Sequence, residues 1–291
     1  MFDTHVHFWR FEPSAYPWMR SESHKRLMRD FLPPDFLTAS AGNGVTGLVA
    51  VQARQIEEES SFLLELADTY PSLVRGVVGW VDLRAPSEAL NASLARLSAH
   101  PRFVGVRHVI HDEPEDDFML QPDFLRGISA LQQYGLTYDL LVFPKHLKNA
   151  LQLVRAFPAQ AFVLDHIGNP RVGGDVEPWL SDLTRLAACP NVSVKLSGMV
   201  TNSQAAWTPA DFVPFIDAVV DAFGYDRCMV GSDWPVALCN SAGYSETMAV
   251  VKSWLASKSA EVSEAILTKN AERVYGLLRS VGGAPPEVKS T

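Results

Sequence analysis

Eight short runs rich in apolar and β-branched residues recur along the chain, at residues 2–8, 45–52, 74–82, 103–110, 137–143, 161–167, 192–198 and 228–234. Each reads as a strand. Several are apolar at consecutive positions, as in Val77-Val78 and Phe162-Val163-Leu164, the pattern of a strand buried on both faces of a parallel sheet. Segments of helical length separate most of them. Glu58 to Tyr70 lines up Phe62, Leu63, Leu66 and Ala67 on one face, and Pro122 to Tyr134 does the same with Phe124, Leu125, Ile128 and Leu131. Two further helices are expected after the eighth run, over Tyr244 to Ser257 and Glu261 to Leu278, and a Gly-Gly-Ala-Pro-Pro tail from Gly282 reads as poorly ordered.

Eight strand-then-helix units with no Pro/Gly/Ser-rich linker between them favour a closed (β/α)8 TIM barrel, an α/β fold, over an open doubly wound sheet. The expected organisation is therefore one barrel domain over residues 1–279, with an extra C-terminal helix and a flexible tail at 280–291. A barrel places its chemistry at the C-terminal ends of the strands. The connection from Phe8 to about Val45 is far longer than an ordinary βα loop and carries Trp9, Phe11, Tyr16 and Trp18, so it is expected to cap that mouth. Ile110 to Gln121, with five acidic residues, and Gly198 to Pro209 are candidate substrate walls.

Composition narrows the partners. With 25 Lys+Arg against 33 Asp+Glu the net charge is −8, which argues against nucleic acid as a partner. No apolar run reaches the roughly 18 residues of a membrane span, and the N-terminus has Asp and His where a secretory signal needs an apolar stretch. A cytoplasmic location is expected, with no membrane partner and a homo-oligomer left open. Cys189, Cys228 and Cys239 are odd in number and scattered, so neither a disulfide framework nor a structural zinc site is expected.

The polar residues at strand ends carry the chemistry. In Asp3-Thr4-His5-Val6-His7, alternation along the strand points His5 and His7 to one face, about 7 Å apart along the backbone, where they can converge on one metal or one substrate oxygen. A lone histidine is more often a packed core residue; the pairing at the first strand of a barrel shifts the balance towards a site. Asp233, after the eighth run, is placed to act as general base on a water, with a turn aspartate before Trp234-Pro235 as the plainer explanation. His166, after the sixth run, can share a metal or donate to a carbonyl oxygen, while its neighbour Asp165 reads as a structural partner that fixes an imidazole or a turn. Arg107, His108 and Lys195 are cationic or titratable groups inside apolar strands, where an unpaired charge is costly, so they are expected to face the mouth or a fixed carboxylate. Arg107 and His108 are adjacent and must point to opposite faces. Gln52 and Trp80 are weaker substrate-binding candidates.

This ordered set resembles the amidohydrolase superfamily over nearly the whole chain, and within it the amidohydrolase-2-type lactonases that act on sugar acids, such as L-fuconolactonases and L-rhamnonolactonases. Carrying the resemblance are Asp3 to Trp9, Tyr16-Pro17-Trp18, Val78 to Arg84, Gly105-Val106-Arg107-His108, Leu164 to Gly168, Lys195-Leu196-Ser197-Gly198, Gly231-Ser232-Asp233-Trp234-Pro235 and Asn270 to Leu277. The resemblance implies hydrolysis of a sugar-acid lactone. Asp233 then activates water, His5, His7 and His166 surround the carbonyl oxygen, directly or through a metal, and Arg107, Lys195 and the first-strand loop with Trp9 read the sugar-acid hydroxyls, His108, Gln52 and Trp80 remaining substrate-binding candidates from their own positions. It also implies that His5, His7 and Asp233 are the ligands where a divalent ion, zinc first, is bound. The fifth run, Thr137 to Phe143, offers no histidine for a metal shell, so the ion is expected to fit without being essential. Rival readings are a metal-dependent decarboxylase or amide hydrolase of the same superfamily, and a non-catalytic sugar-acid-binding barrel.

Overall fold

A computed structural model describes residues 1–204 and 206–277. The tail expected to be flexible, 280–291, and the last residue of the final predicted helix, Leu278, lie outside the described residues. Eight strands, β1 (Phe2–Val6), β2 (Gly47–Val51), β3 (Val74–Gly79), β4 (Phe103–Val109), β5 (Thr137–Leu141), β6 (Phe162–Leu164), β7 (Val192–Leu196) and β8 (Cys228–Val230), pair in sequence order, and every pair is parallel. The segment after β8 returns to β1. Val6 bridges Trp234, the Asp233 amide donates to the His5 carbonyl at 2.9 Å, and the His7 amide donates to the Trp234 carbonyl at 2.7 Å. That seam makes the sheet a (β/α)8 barrel, as the alternating pattern predicts.

Around it lie α1 (Pro33–Ala39), α2 (Glu57–Thr69), α3 (Ser87–Ser98), α4 (Pro122–Leu131), α5 (Leu147–Ala156), α6 (Glu177–Ala187), α7 (Val213–Phe223), α8 (Tyr244–Leu255), α9 (Ala260–Glu264) and α10 (Asn270–Tyr275). The helix expected from Glu261 is interrupted by a π turn at Ala265–Lys269, between α9 and α10, and stops at Gly276, whose left-handed φ of 63° ends it. From α10 and the residues after it, Tyr275 and Leu277 reach the lower barrel, where they pack with Phe2, Val49, Val78, Val163 and Met229. The barrel floor is thus a plug of apolar side chains. No helix of the described residues is long and apolar enough to cross a membrane.

All eight strands end before the runs predicted for them, and at two of them the backbone then reverses hand. β6 stops at Leu164 and β8 at Val230, and in both cases the residues beyond turn into the left-handed region, with φ of 54° at His166, 51° at Ile167 and 58° at Asp233. Strand geometry cannot continue through those angles, and non-glycine residues hold them only where their surroundings enforce it. The long first connection folds over the mouth with two 3-10 turns, Pro13–Ala15 and Glu22–Leu27, and then α1. Phe31 and Phe36 pack edge-on against Trp234 at 5.2 and 5.4 Å, and Arg26 donates to the carbonyls of Leu238 and Ser241, both at 2.7 Å. These contacts fasten the loop to the segment that carries Asp233.

Candidate active site

At the mouth, β1 delivers His5 and His7, the turn after β6 delivers His166, and the turn after β8 delivers Asp233. The His5 ring lies 4.9 Å from His7 and 4.4 Å from His166, centroid to centroid. Asp233 Oδ1 is 3.4 Å from His7 Nε2 and 3.9 Å from His5 Nε2. His5 is completely covered, whereas His7, His166 and Asp233 keep 4, 6 and 4% of their surface, so these three form the reachable rim. The four residues singled out in sequence therefore meet at one point.

Hydrogen bonding orients each of the rings. His7 Nδ1 sits 2.8 Å from the Val51 carbonyl, which can only accept, so Nδ1 carries a proton, and in the neutral form of the ring Nε2 presents a lone pair. That lone pair faces an oxygen of Asp233, itself an acceptor. Two acceptors aimed at each other across 3.4 Å suit a shared proton, a water or a cation between them. On His5 both nitrogens face a cationic donor, the Arg107 guanidinium 3.1 Å from Nε2 and Lys195 Nζ 3.2 Å from Nδ1, and Nδ1 also lies 3.4 Å from Asp165 Oδ1. Burial holds the His5 pKa well below that of a free imidazole and lowers that of His166 too. His166 Nδ1 is anchored on the Ser197 hydroxyl at 2.9 Å.

His5, His7 and Asp233 each offer one ligand atom, and those atoms lie within 4.8 Å of one another; a second such group is His5, Asp165 and His166. Two imidazole nitrogens and a carboxylate oxygen match the donor chemistry of zinc, with positions left for water or substrate. The first group fits best at His7, whose Nε2 is free. At His5 the same nitrogen is engaged by Arg107, so a bound ion and that contact exclude each other.

Beneath the rim the barrel interior is charged. Lys195 is fully buried and lies 2.6 Å from Asp139 Oδ2, 2.9 Å from Asp165 Oδ1 and 3.2 Å from His5 Nδ1. Arg107 pairs with Asp165 Oδ2 at 3.1 Å and donates to the Gln52 carbonyl and side-chain oxygen at 2.5 and 2.9 Å. Burial pushes the Asp165 carboxyl upward, but Lys195, His5 and Arg107 outweigh it and hold the group well below the usual carboxylate range. Asp139 moves the other way, raised by burial despite Lys195, and accepts the Tyr275 hydroxyl at 2.8 Å.

The geometry also shows the surroundings of the expected substrate-binding residues. Lys195 and Gln52, expected against substrate, are fully buried; Lys195 braces His5 and two carboxylates, and Gln52 braces Arg107. His108 points away from Arg107, as alternation along β4 demands. It takes the Trp80 ring N–H on Nδ1 at 3.2 Å, meets Glu113 through Nε2 at 2.7 Å and packs on Phe118 and Phe124. Trp80 is thereby held on the same outward side through its ring nitrogen. Trp9 is completely buried in the first loop, its ring N–H on the Arg29 carbonyl at 2.9 Å. Asp139 and Tyr275 are additions that sequence reasoning missed. An acid at Asp139 in an otherwise apolar strand is the same signal that marked Arg107 and Lys195.

A family model described as amidohydrolase matches residues 2–277. The chain belongs to the amidohydrolase family. It is 37% identical over 290 residues to an L-fucono-1,5-lactonase of Burkholderia multivorans, covering 94% of this chain and 95% of the relative. An L-fucono-1,5-lactonase of Burkholderia ambifaria is 36% identical over 236 residues, which cover 81% and 80% of the two chains. Among solved structures, an amidohydrolase from Burkholderia multivorans with bound zinc is similar at 36% identity with a TM-score of 0.87, over 94% of this amidohydrolase and 98% of the other.

Proposed function

We propose that this amidohydrolase opens the lactone ring of a sugar acid, of the L-fucono-1,5-lactone type, by direct attack of a water held by Asp233. Its expected partner is that small molecule. The observation that carries the reading is the pairing of Asp233 Oδ1 with an imidazole nitrogen whose lone pair is free, His7 Nε2 at 3.4 Å, at a rim that stays reachable. The identity to L-fucono-1,5-lactonases over most of the chain supports the substrate class. It does not favour the decarboxylase, amide-hydrolase or non-catalytic alternatives.

In this mechanism the lactone carbonyl lies among His5, His7 and His166. Asp233 takes one proton from the water while the oxygen bonds to the carbonyl carbon. Charge gathers on the former carbonyl oxygen, where the Arg107 guanidinium, fixed by Asp165 and Gln52 and 3.1 Å from His5 Nε2, supplies a permanent positive charge. When the ring C–O bond breaks, the departing oxygen takes the proton from Asp233, giving the hydroxy acid and restoring the base. Because Arg107 donates to His5 Nε2, His5 works as a neutral, oriented ring rather than as a proton donor. A divalent ion held by His5, His7 and Asp233 would add Lewis-acid polarisation of the carbonyl.

The test is a pH-indicator assay of acid release across aldonolactones, with uronate and aromatic lactones as contrasts. Rapid opening of L-fucono-1,5-lactone and slow opening of aromatic lactones is the expected result. Absence of acid release from every aldonolactone, with zinc or manganese supplied, rejects the proposal.

A further inference from the structure

The segment after β2 passes directly beside the reacting groups. The Val51 carbonyl meets His7, the Gln52 carbonyl meets Arg107, and Arg54 follows two residues later, its Cα within about 8 Å of that of Gln52. Arg54 is held with unusual thoroughness. The Glu59 side chain, completely buried, accepts the backbone N–H of Ala53, that of Arg54 at 2.9 Å, and the Arg54 Nε–H at 2.5 Å. On its other side the guanidinium carbon lies 5.3 Å from the ring centre of Tyr16, a residue of the loop that covers the mouth. The side chain nevertheless remains 27% exposed.

What is not held is the end of the fork. Among the described residues neither terminal nitrogen of Arg54 makes a hydrogen bond, nor does the Tyr16 hydroxyl. Arginines that only brace this fold spend those nitrogens on carbonyls, as Arg26 does on Leu238 and Ser241, Arg102 on Pro71 and Val74, and Arg227 on Cys189, Val192 and Ala187. Arg54 is fixed through Nε alone, and a buried carboxylate is committed to fixing it. Burial, then the charge of Glu59, pushes the Tyr16 phenol up, so it stays a neutral hydroxyl able to donate and accept. The Arg54–Glu59 pair carries no net charge, which suits neutral hydroxyl groups better than a carboxylate.

We propose that Arg54, aligned by Glu59 and backed by Tyr16, is a specificity-determining residue that reads the ring hydroxyls of the lactone through its two terminal nitrogens. This rests on the lactonase reading above. A site built to bond hydroxyls rejects a substrate lacking them, because its donors are then left unpaired.

The experiment compares L-fucono-1,5-lactone with δ-valerolactone, a six-membered lactone without hydroxyls, in the wild type and in Arg54→Met, Arg54→Lys and Tyr16→Phe. The ratio of kcat/KM between the two lactones should fall about 10- to 100-fold in Arg54→Met, mostly through KM, and nearly as far in Arg54→Lys, which keeps the charge and loses the fork. Tyr16→Phe should lower it about 3- to 10-fold. An equal loss on both lactones assigns Arg54 to architecture and overturns the inference, as does an unchanged ratio. A wild type that opens neither lactone rejects the lactonase reading first, and the inference falls with it.

Discussion

The inside of this barrel contains two polar regions, one above the other, and they are built on opposite terms. In the lower one Lys195, Asp139, Asp165 and Tyr275 are all buried, and each charge sits within 3.1 Å of an opposite one. In the upper one His7, His166 and Asp233 converge on the same point with their reactive atoms left unbonded to each other. Removing charges from water costs several kcal/mol unless partners compensate, so the lower set is a charge-compensated prop. The upper set stays open and has capacity left for a substrate and a water. Proximity to the barrel axis does not distinguish chemistry from support; reach from the rim does.

Substitutions that strike one layer and spare the other break this comparison most directly. Asp233→Asn should cut lactone turnover about 10²- to 10⁴-fold, with an unfolding free energy within about 1 kcal/mol of the parent. Steady-state rates and urea titration on one sample check both halves, and near-native turnover removes Asp233 from its role. Lys195→Met should do the reverse in its primary effect. It strands Asp139 and Asp165 in the interior and should cost about 3–5 kcal/mol in urea unfolding, and loss of turnover without loss of stability would place Lys195 in the upper layer instead.

Acid sharpens the contrast further. The His5 and His166 pKa values are lowered by burial, so between those values and about 6.5 the unfolded chain binds protons that the native one refuses. Stability is then fully present above pH 6.5 and falls as pH drops, by up to about 1.4 kcal/mol per pH unit for each histidine. Asp139, raised by burial, contributes with the opposite sign. The difference in slope between the parent and a His5→Asn, His166→Asn double variant, measured by urea unfolding at pH 7 and 5.5, isolates the histidines; equal slopes refute their assignment as buried neutral rings. The smallest effect should come from Tyr275→Phe. It takes one donor from Asp139 Oδ2 while Lys195 remains, for about 1–2 kcal/mol and little change in KM.

Much of this was legible in the sequence. The apolar runs mark all eight strands, because a strand buried on both faces leaves little room for polar residues, and the alternation in Asp3-Thr4-His5-Val6-His7 aims both histidines at the mouth. The early ends of β6 and β8 were not legible. They follow from left-handed angles at His166 and Asp233 that tertiary contacts impose on residues with no local preference for them. Nor could the sequence say which of Arg107 and His108 faces inward, since adjacency requires opposite faces without choosing between them. The supporting roles of Gln52 and Lys195 depend on partners 55 and 190 residues away, Arg107 and His5, which no local pattern encodes.

The seam between β8 and β1 carries a consequence for how this protein comes into being. Asp233 and His5 are joined through their own backbones, so the first and last thirds of the chain must find each other before the proposed reaction centre exists. A nascent or half-assembled barrel is chemically silent, and the first detectable turnover during refolding therefore times the meeting of the two ends.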